Sequence, residues 1–526
     1  VKYGVDSKPS EAKDPSVVVI KQQQGRDERR KVYRIMYMGT QVNYGVHNNT
    51  VANFKRGVLE RVRYVKNNDG NFVRPPTPGK GVFAARLTKF KRRLLRVLPS
   101  TTAMTREQFP TLYRGRKRTI YEAAVESLRQ KPVQRRDSSS KSFLKAEKIK
   151  FTKAKPDPPP RLIHPRHPRY NVEVGKFLRP LEHKIYTGIK RIWEDVTVSK
   201  GLNSAQVGKL IKSKWDKFRK PCAIGLDASR FDQHVSKQAL VWEHSVYNSV
   251  YRDPELLKLL SWQLGTRCYG RARDGTVKYE IEGMRMSGDM NTALGNCLIM
   301  CALVWAYCEE IGVKSKLINN GDDCVVFLEQ RDAVTFRASL GQWFMDMGFS
   351  MKVEDTVYDV EKVEFCQCRP VWTEDQGYIM VRNVKDCLSK DCTCIIDIST
   401  AGGFLKWAYS IGECGLSLAG GIPVLDQFYR ALMRSGRKGG KVTSHPYWES
   451  GMTYLAKGMD RKLSRITART RHSFYLAFGV TPDEQIMAEN YFSLMTVRHA
   501  DPIFLETWRH QFQIDIKECL LYPHTA

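Results

Sequence analysis

Residues Asn319-Asn320-Gly321-Asp322-Asp323 form an acidic tip between two apolar runs, Lys316-Leu317-Ile318 before it and Cys324-Val325-Val326-Phe327-Leu328 after it. Two strand-forming runs joined by Asn-Gly predict a β-hairpin, because both central turn residues tolerate φ > 0. Neighbouring carboxylates on a rigid turn repel each other unless a cation lies between them. Hard oxygen ligands suit Mg²⁺, with Mn²⁺ able to substitute. Taken alone, these five residues read better as an acidic surface turn. Other segments of the chain change that balance.

Upstream, Ala223 to Leu226 is a short run of small and apolar residues, readable as a buried strand that ends at Asp227. Asp232 follows five positions later, far enough for the chain to turn and present a second carboxylate. If Asp227 and Asp322 end neighbouring strands, they can clamp two divalent ions roughly 3.5–4 Å apart, an arrangement suited to in-line phosphoryl transfer. Between them, Met286-Ser287-Gly288-Asp289-Met290-Asn291 leads into Thr292, Asn296, Leu298, Ile299 and Met300. This predicts a loop opening a largely buried helix, with Thr292 and Asn296 on one face. Buried polar groups need partners: either neighbouring backbone or a bound nucleotide satisfies them.

Asp227-x4-Asp232, Ser287-Gly288-x3-Thr292-x3-Asn296 and Gly321-Asp322-Asp323 resemble, in order and spacing, motifs A, B and C of viral RNA-dependent RNA polymerases. The flanking segments are most like the tombusvirus family of positive-strand RNA plant viruses, carmovirus-like. They are Tyr44-Gly45-Val46-His47-Asn48-Asn49, Asn53-Phe54-Lys55-Arg56-Gly57-Val58, Pro165-Arg166-His167-Pro168-Arg169-Tyr170-Asn171-Val172-Glu173 and Phe365-Cys366-Gln367. The resemblance implies an α+β fold: a closed right hand of fingers, palm and thumb, with an antiparallel palm sheet flanked by helices. It implies an RNA-directed RNA polymerase, a nucleotidyltransferase that copies a viral genome from NTPs by two-metal chemistry, with primer-independent initiation.

By the same resemblance, Asp227 and Asp322 would ligate both metals, with Asp323 a secondary ligand and the Ala228 carbonyl an additional one. Lys352, in a motif D position, would protonate the departing pyrophosphate. Asp232 and Asn296, with Ser287 or Thr292, would sense the ribose 2′-hydroxyl. The segment Phe143 to Ile163 resembles motif F. Arg161 there offers a planar fork to phosphate oxygens, Lys145 and Lys155 add point charges, and Glu147 would orient the arginine. Val363 to Gln367 resembles motif E, a hairpin under the primer strand, which places Phe365, Cys366 and Gln367 near RNA, as motif B places Gly288. Arg92, Arg93, Arg116 and Lys117 belong to the densest basic runs. They read as a solvated face or as the lining of a template channel.

Composition supports a polyanion partner. Lys and Arg number 86 against 55 Asp and Glu, a net charge of +31, and affinity for RNA should fall steeply with salt. Capsid-like RNA packing would explain the charge without needing a carboxylate cluster. A reverse transcriptase would carry a bulky side chain where Asp232 stands, and a glycosidase-like acid pair needs no triphosphate-binding arginine. Thirteen cysteines, mostly in apolar segments, suggest reduced thiols. The spacings Cys366-x-Cys368 and Cys392-x-Cys394 are too tight for a zinc finger.

The expected layout has a flexible basic segment over 1–32 and an extension over 33–75 that bridges fingers and thumb. Fingers follow over 76–220, palm over 221–240, fingers again over 241–280, palm over 281–370 and thumb over 371–526. Asp137-Ser138-Ser139-Ser140 reads as a mobile loop. No signal peptide or membrane-spanning run is visible, and Ala293 to Tyr307 reads as the motif B helix. The resemblance implies single-stranded RNA template, nascent RNA and NTPs as partners, with a viral auxiliary protein, host factors and possible self-association. It also implies membrane-associated replication complexes in the host cytoplasm, anchored through segments outside this chain, and a readthrough junction near Gln24-Gly25.

Overall fold

Short apolar runs bracketed by turn residues form the centre of the fold. The computed structural model describes residues 1–22, 29–35, 38, 43–439, 452 and 455–499. Four such runs build an antiparallel sheet: β1 (Pro221–Ala228), β2 (Ser315–Asn320), β3 (Asp323–Glu329) and β4 (Met351–Val357), in spatial order β2-β3-β1-β4. The predicted hairpin is β2–β3, but its turn differs from the expected one. Asn320 pairs with Asp323, so the loop residues are Gly321 and Asp322, and of these only Gly321 has a positive φ, +75°. Glycine first in a two-residue loop is the type II′ pattern. The reason lies one residue earlier, where the buried Asn319 amide donates from Nδ2 to the Gly321 carbonyl at 2.6 Å and fixes the turn.

Four helices pack on one another and share one core with a face of this sheet: α1 (Val82–Val97), α2 (Pro168–Trp193), α3 (Lys237–Tyr251) and α4 (Thr292–Ile311). A helix apolar on every side must be buried, and every residue of α4 from Leu294 to Cys308 is. Among the described residues it is the one helix long and apolar enough to cross a membrane, yet most of it lies inside the protein, against β2 and α1, α2 and α3. α1 buries Phe83, Leu87, Phe90 and Leu94 at helical spacing and leaves Arg92, Arg93 and Arg96 outside.

The first residues depart from the expectation of flexibility. Val18–Lys21 pairs with Gly275–Glu282, which pairs in turn with Gly265–Ala272, and Ala12 and Val17 are buried in the same core. Lys31–Arg34 joins Lys2–Tyr3 to Thr393–Cys394. A polar stretch can be ordered by main-chain ladders to distant strands, and composition does not register such partners. The expected loop at Asp137–Ser140 is likewise fixed: Arg135–Ser138 is a single 3₁₀ turn with reciprocal capping by Gln134 and Asp137, and Ser140 is fully buried. The C-terminal part forms a second core. Helices Ala401–Ala419, Leu425–Ser435, Ala468–Phe478 and Pro482–Leu494 pack with the hairpin Cys368–Thr373/Gly377–Arg382 and with Tyr33, Ile35 and Met38.

The chain is thus a mixed α and β protein with antiparallel sheets. The expected boundaries at 32/33, 240/241, 280/281 and 370/371 fall inside a strand, α3, a strand and the hairpin respectively, because they follow motif ends and not packing units. Val363–Gln367 is a turn ahead of that hairpin, with positive φ at Cys366 and Gln367. Gln24-Gly25 lies outside the described residues, as do 440–451 and 500–526 of the expected thumb.

Helix Ser204–Trp215 packs on strand Gly377–Arg382 through Gly208, where an added Cβ would lie 2.3 Å from the Tyr378 carbonyl oxygen. Gly208→Ala should therefore destabilise the protein by roughly 1–3 kcal/mol, as overpacking against backbone does. A lowered denaturation midpoint at unchanged m value checks this.

Candidate active site

The end of β1 makes a reversal that shapes the site. Arg230 takes a left-handed conformation, φ +48°, and the single turn Phe231–His234 follows, returning Asp232 towards the β2–β3 turn. A cavity of about 410 Å³ opens there, lined by Arg61, Arg161, Arg230, Asp232, Ser287, Asn296, Asp322 and their neighbours. Segments scattered from residue 61 to residue 322 converge on it, and each contributes a charged or hydrogen-bonding group.

In the cavity wall the Asn296 amide donates from Nδ2 to Asp232 Oδ1 at 2.9 Å. Burial raises the Asp232 pKa, which the Asn296 hydrogen bond and the Arg285 charge partly offset. Ser287 Oγ accepts from the His164 backbone N–H at 3.2 Å. Thr292, the other expected sugar contact, donates from Oγ1 to the Met286 carbonyl at 2.8 Å and does not line the cavity. It closes the loop at the start of α4. Gly288 is also used in packing, since an added Cβ would stand 2.6 Å from Pro165 Cα. Behind it, Arg166 and Asp289 form a fully buried ion pair that ties this loop to the segment after Ile163.

Three guanidinium groups share the same cavity. Arg161 pairs through Nε with Glu147 at 3.3 Å, and Lys145 holds the second Glu147 oxygen at 3.0 Å. Arg230 donates to the Glu60 carbonyl. Arg61 donates to the Pro159 carbonyl at 3.5 Å, while its buried Nε has no partner. Burial, and then the charges of Arg230 and Arg161, lower the Arg61 pKa to about 10. Three mutually repelling cations facing one cavity make a seat for a polyanion. Lys155 stands apart, in an exposed turn closed on Thr152.

The acidic group lies beside this cavity. β1 and β3 pair so that Asp227 is directly opposite Asp323, and β1 and β4 so that Asp227 is opposite the exposed Lys352. Ala228, the last residue of β1, is opposite Met351. Burial, and then the Asp322, Asp227 and Glu354 charges, push the Asp323 carboxyl up to about 7. Asp322 is raised by burial first and by Asp227. All-oxygen donors, two of them with carboxyl pKa values raised by burial and neighbouring carboxylates, fit a divalent cation, which would favour their charged forms. Among the described residues no three His, Cys, Asp or Glu side chains are already gathered round one ion position.

The expected RNA contacts divide. Arg116 and Lys117 lie exposed at the start of helix Gly115–Gln130, with Lys117 over Tyr113, whose hydroxyl meets Met290 Sδ in the Ser287–Asn291 loop. Arg92 and Arg93 are elsewhere, on the outer face of α1. The Arg93 guanidinium stacks on Trp305 of α4, which lies nine residues, or about 14 Å of helix, beyond Asn296. Phe365 is buried in a core and presents no surface to RNA. Gln367 is exposed, and the half-buried Cys366 accepts through Sγ from Asn320 Nδ2. Sequence reasoning missed Arg61 and Arg230, which look ordinary among 86 basic residues. Arg230 carried one usable signal, its place between Asp227 and Asp232.

Comparison with known proteins identifies relatives of the chain. The chain is 46% identical over 467 residues to the RNA-directed RNA polymerase of Turnip crinkle virus, covering 88% of this chain and 60% of that protein. It is 43% identical over 500 residues to that of Maize chlorotic mottle virus, covering 95% and 51%. Against that of Tobacco necrosis virus (strain A) it is 42% identical over 508 residues, covering 96% and 69%. The chain thus spans only about half to three-fifths of the length of the first two relatives. The family described as viral RNA dependent RNA polymerase matches residues 17–500, and the chain belongs to that family.

Proposed function

We propose that this chain is the polymerase region of a positive-strand RNA plant virus replicase and extends an RNA strand from NTPs on an RNA template. The observation that carries this reading is the single cavity that joins three arginines, the Asp232–Asn296 pair and Asp322. Its groups suit the parts of a nucleoside triphosphate: arginines for the polyphosphate, Asp232 and Asn296 for the ribose, and Asp322 for a metal ion at the reacting phosphorus. Arg161, Arg61 and Arg230 bind the triphosphate, with Lys145 on the approach. Asp232 and Asn296, next to Ser287, bond the ribose 2′-hydroxyl, and a site built for a hydroxyl rejects the analogue lacking it because its own polar groups are left unpaired.

Asp227, Asp322 and Asp323 would hold Mg²⁺, or Mn²⁺ in its place, with the Ala228 carbonyl as a further donor. Bound divalent ions supply charge neutralisation at the attacking hydroxyl and the leaving pyrophosphate. The protein's own part is to position the reactants and to stabilise developing charge. Lys352, opposite Asp227 in the sheet, is the proposed proton donor to pyrophosphate.

In this reading the central sheet is the palm and the C-terminal helices are the thumb, with fingers built from the segments between. A closed hand is supported by three contacts. Lys148 Nζ donates to the Lys390 and Thr393 carbonyls at 2.7 and 2.9 Å, Lys150 pairs with Asp386 at 2.6 Å, and Lys31–Arg34 pairs with Thr393–Cys394. Single-stranded template and nascent RNA are the proposed macromolecular ligands. Recruitment to membrane-associated complexes in the host cytoplasm, with a viral auxiliary protein and host factors, belongs to the same proposal.

Labelled-ribonucleotide incorporation on a short single-stranded RNA template with Mg²⁺ tests the reading. Asp322→Ala should reduce template-length product by on the order of a hundredfold or more, with RNA binding retained. Product at the wild-type level would discard the metal assignment. Arg161→Ala should lower kcat/KM for NTP roughly 10–100-fold, the worth of one charge-assisted contact, and a silent variant would remove Arg161 from the triphosphate seat.

The pH dependence has a defined sign. Folding raises Asp323 from an ordinary 3.8 to about 7, so its contribution to metal-free stability is lost as pH rises through that window. Mg²⁺ needs the deprotonated carboxylate, so its binding strengthens over the same range. The Mg²⁺-induced rise in Tm should be larger near about pH 8 than near about pH 6. Asp323→Asn should flatten that difference.

A further inference from the structure

We infer that Arg285, braced by Glu243, is a positioning residue that sets sugar selection by fixing which end of the Asn296 amide faces Asp232. This rests on the polymerase reading above. An asparagine amide can present either its oxygen or its nitrogen, and an ionised carboxylate can only accept. Asn296 serves Asp232 only with Nδ2 turned towards it, as found, at 2.9 Å. The opposite end is held by Arg285, whose Nε donates to Asn296 Oδ1 at 2.8 Å. An arginine has no acceptor to offer, so a flipped amide would meet a donor with a donor and a carboxylate with an oxygen.

Arg285 is itself fixed in place. Its side chain is fully buried and its Nη2 bonds Glu243 Oε2 at 2.5 Å. The other Glu243 oxygen accepts from Asn291 Nδ2 at 2.9 Å and from the Tyr247 hydroxyl at 2.7 Å. Asn291 exchanges bonds with Gln263 at 3.0 and 3.1 Å, and Gln263 meets His244 at 3.0 Å. The ion pair passes against α4 at Gly295, where an added Cβ would lie 2.1 Å from Glu243 Oε1 and 2.2 Å from Arg285 Nη2. The Arg285 backbone N–H also bonds the Asp232 carbonyl at 2.9 Å. A line therefore runs Glu243–Arg285–Asn296–Asp232 from the core to the cavity, and it leaves Asp232 Oδ2 for a ligand hydroxyl.

The test measures kcat/KM for a ribonucleotide and its 2′-deoxy analogue with the full chain on one RNA template. Arg285→Gln and Glu243→Gln are compared, each alone and in an Asn296→Ala background. Arg285→Gln should lower the ribo/deoxy ratio by about tenfold or more, the loss of a hydrogen bond to a charged donor. Glu243→Gln keeps shape and acceptor but loses the charge, and should lower the ratio less. Neither should change the ratio further once Asn296 is alanine, because an effect transmitted through Asn296 disappears with it.

A ratio that stays at the wild-type value while both kcat/KM values fall together would make Arg285 merely structural and overturn the inference. Full additivity with Asn296→Ala would do the same. If Arg285→Gln does not fold, Glu243→Gln decides by the same ratio. Failure of the wild type to incorporate either nucleotide would instead overturn the polymerase reading, and this inference with it.

Discussion

A main-chain ladder holds two like charges face to face, and the rest of the molecule is arranged around that fact. β1 and β3 pair with Asp227 opposite Asp323, and their backbone hydrogen bonds do not relax to separate the carboxylates. Slipping the register by one residue would turn the buried face of each strand outward, so the repulsion cannot be escaped by sliding. It is met by surroundings: Lys352 stands across the sheet from Asp227, the Lys200 and Arg161 charges act on the adjoining Asp322, and the Asp323 carboxyl is held towards its neutral form. A rigid scaffold under unfavourable local electrostatics is what a site for a multivalent cation and a polyanion requires.

The same logic extends inward. Arg166–Asp289 and Arg285–Glu243 are ion pairs withdrawn from solvent. An apolar pair of similar shape is often no less stable, whereas loss of one partner costs about 3–5 kcal/mol. Their value lies in direction. Each pins one side of the Ser287–Asn291 loop and the start of α4, so Ser287 reaches the cavity from that loop and Asn296 from the first turns of α4, both with little freedom to move.

Much of the centre was legible from local pattern. The β2–β3 hairpin, the all-apolar α4 and the amphipathic α1 follow from periodicity, and Asp227, Asp232, Ser287, Asn296 and Asp322 from motif spacing. Arg161 followed from the resemblance of Phe143–Ile163 to motif F. What stayed hidden depends on partners far away in sequence. Arg61 and Arg230 are distinguished only by where their guanidinium groups converge, and Val18–Lys21 only by the strand it joins. Thr292 and Phe365 show the converse. Their positions in motifs suggested ligand contacts, but Thr292 satisfies a backbone carbonyl and Phe365 fills a core. Asp137–Ser140 read as loose because four small polar residues give no periodicity, although side-chain bonds to their own backbone and to Arg169 hold them.

The strand Lys31–Arg34 has its partner at Thr393–Cys394, hundreds of residues later in the chain. On a ribosome adding roughly 5–20 residues per second, the earlier strand waits on the order of tens of seconds for that partner to be made. Through that interval one of its edges is unpaired, and an open edge can pair with another chain. The pairing of Lys31–Arg34 with Thr393–Cys394 therefore waits for synthesis of the later strand, and until then the earlier strand keeps one edge open to self-association.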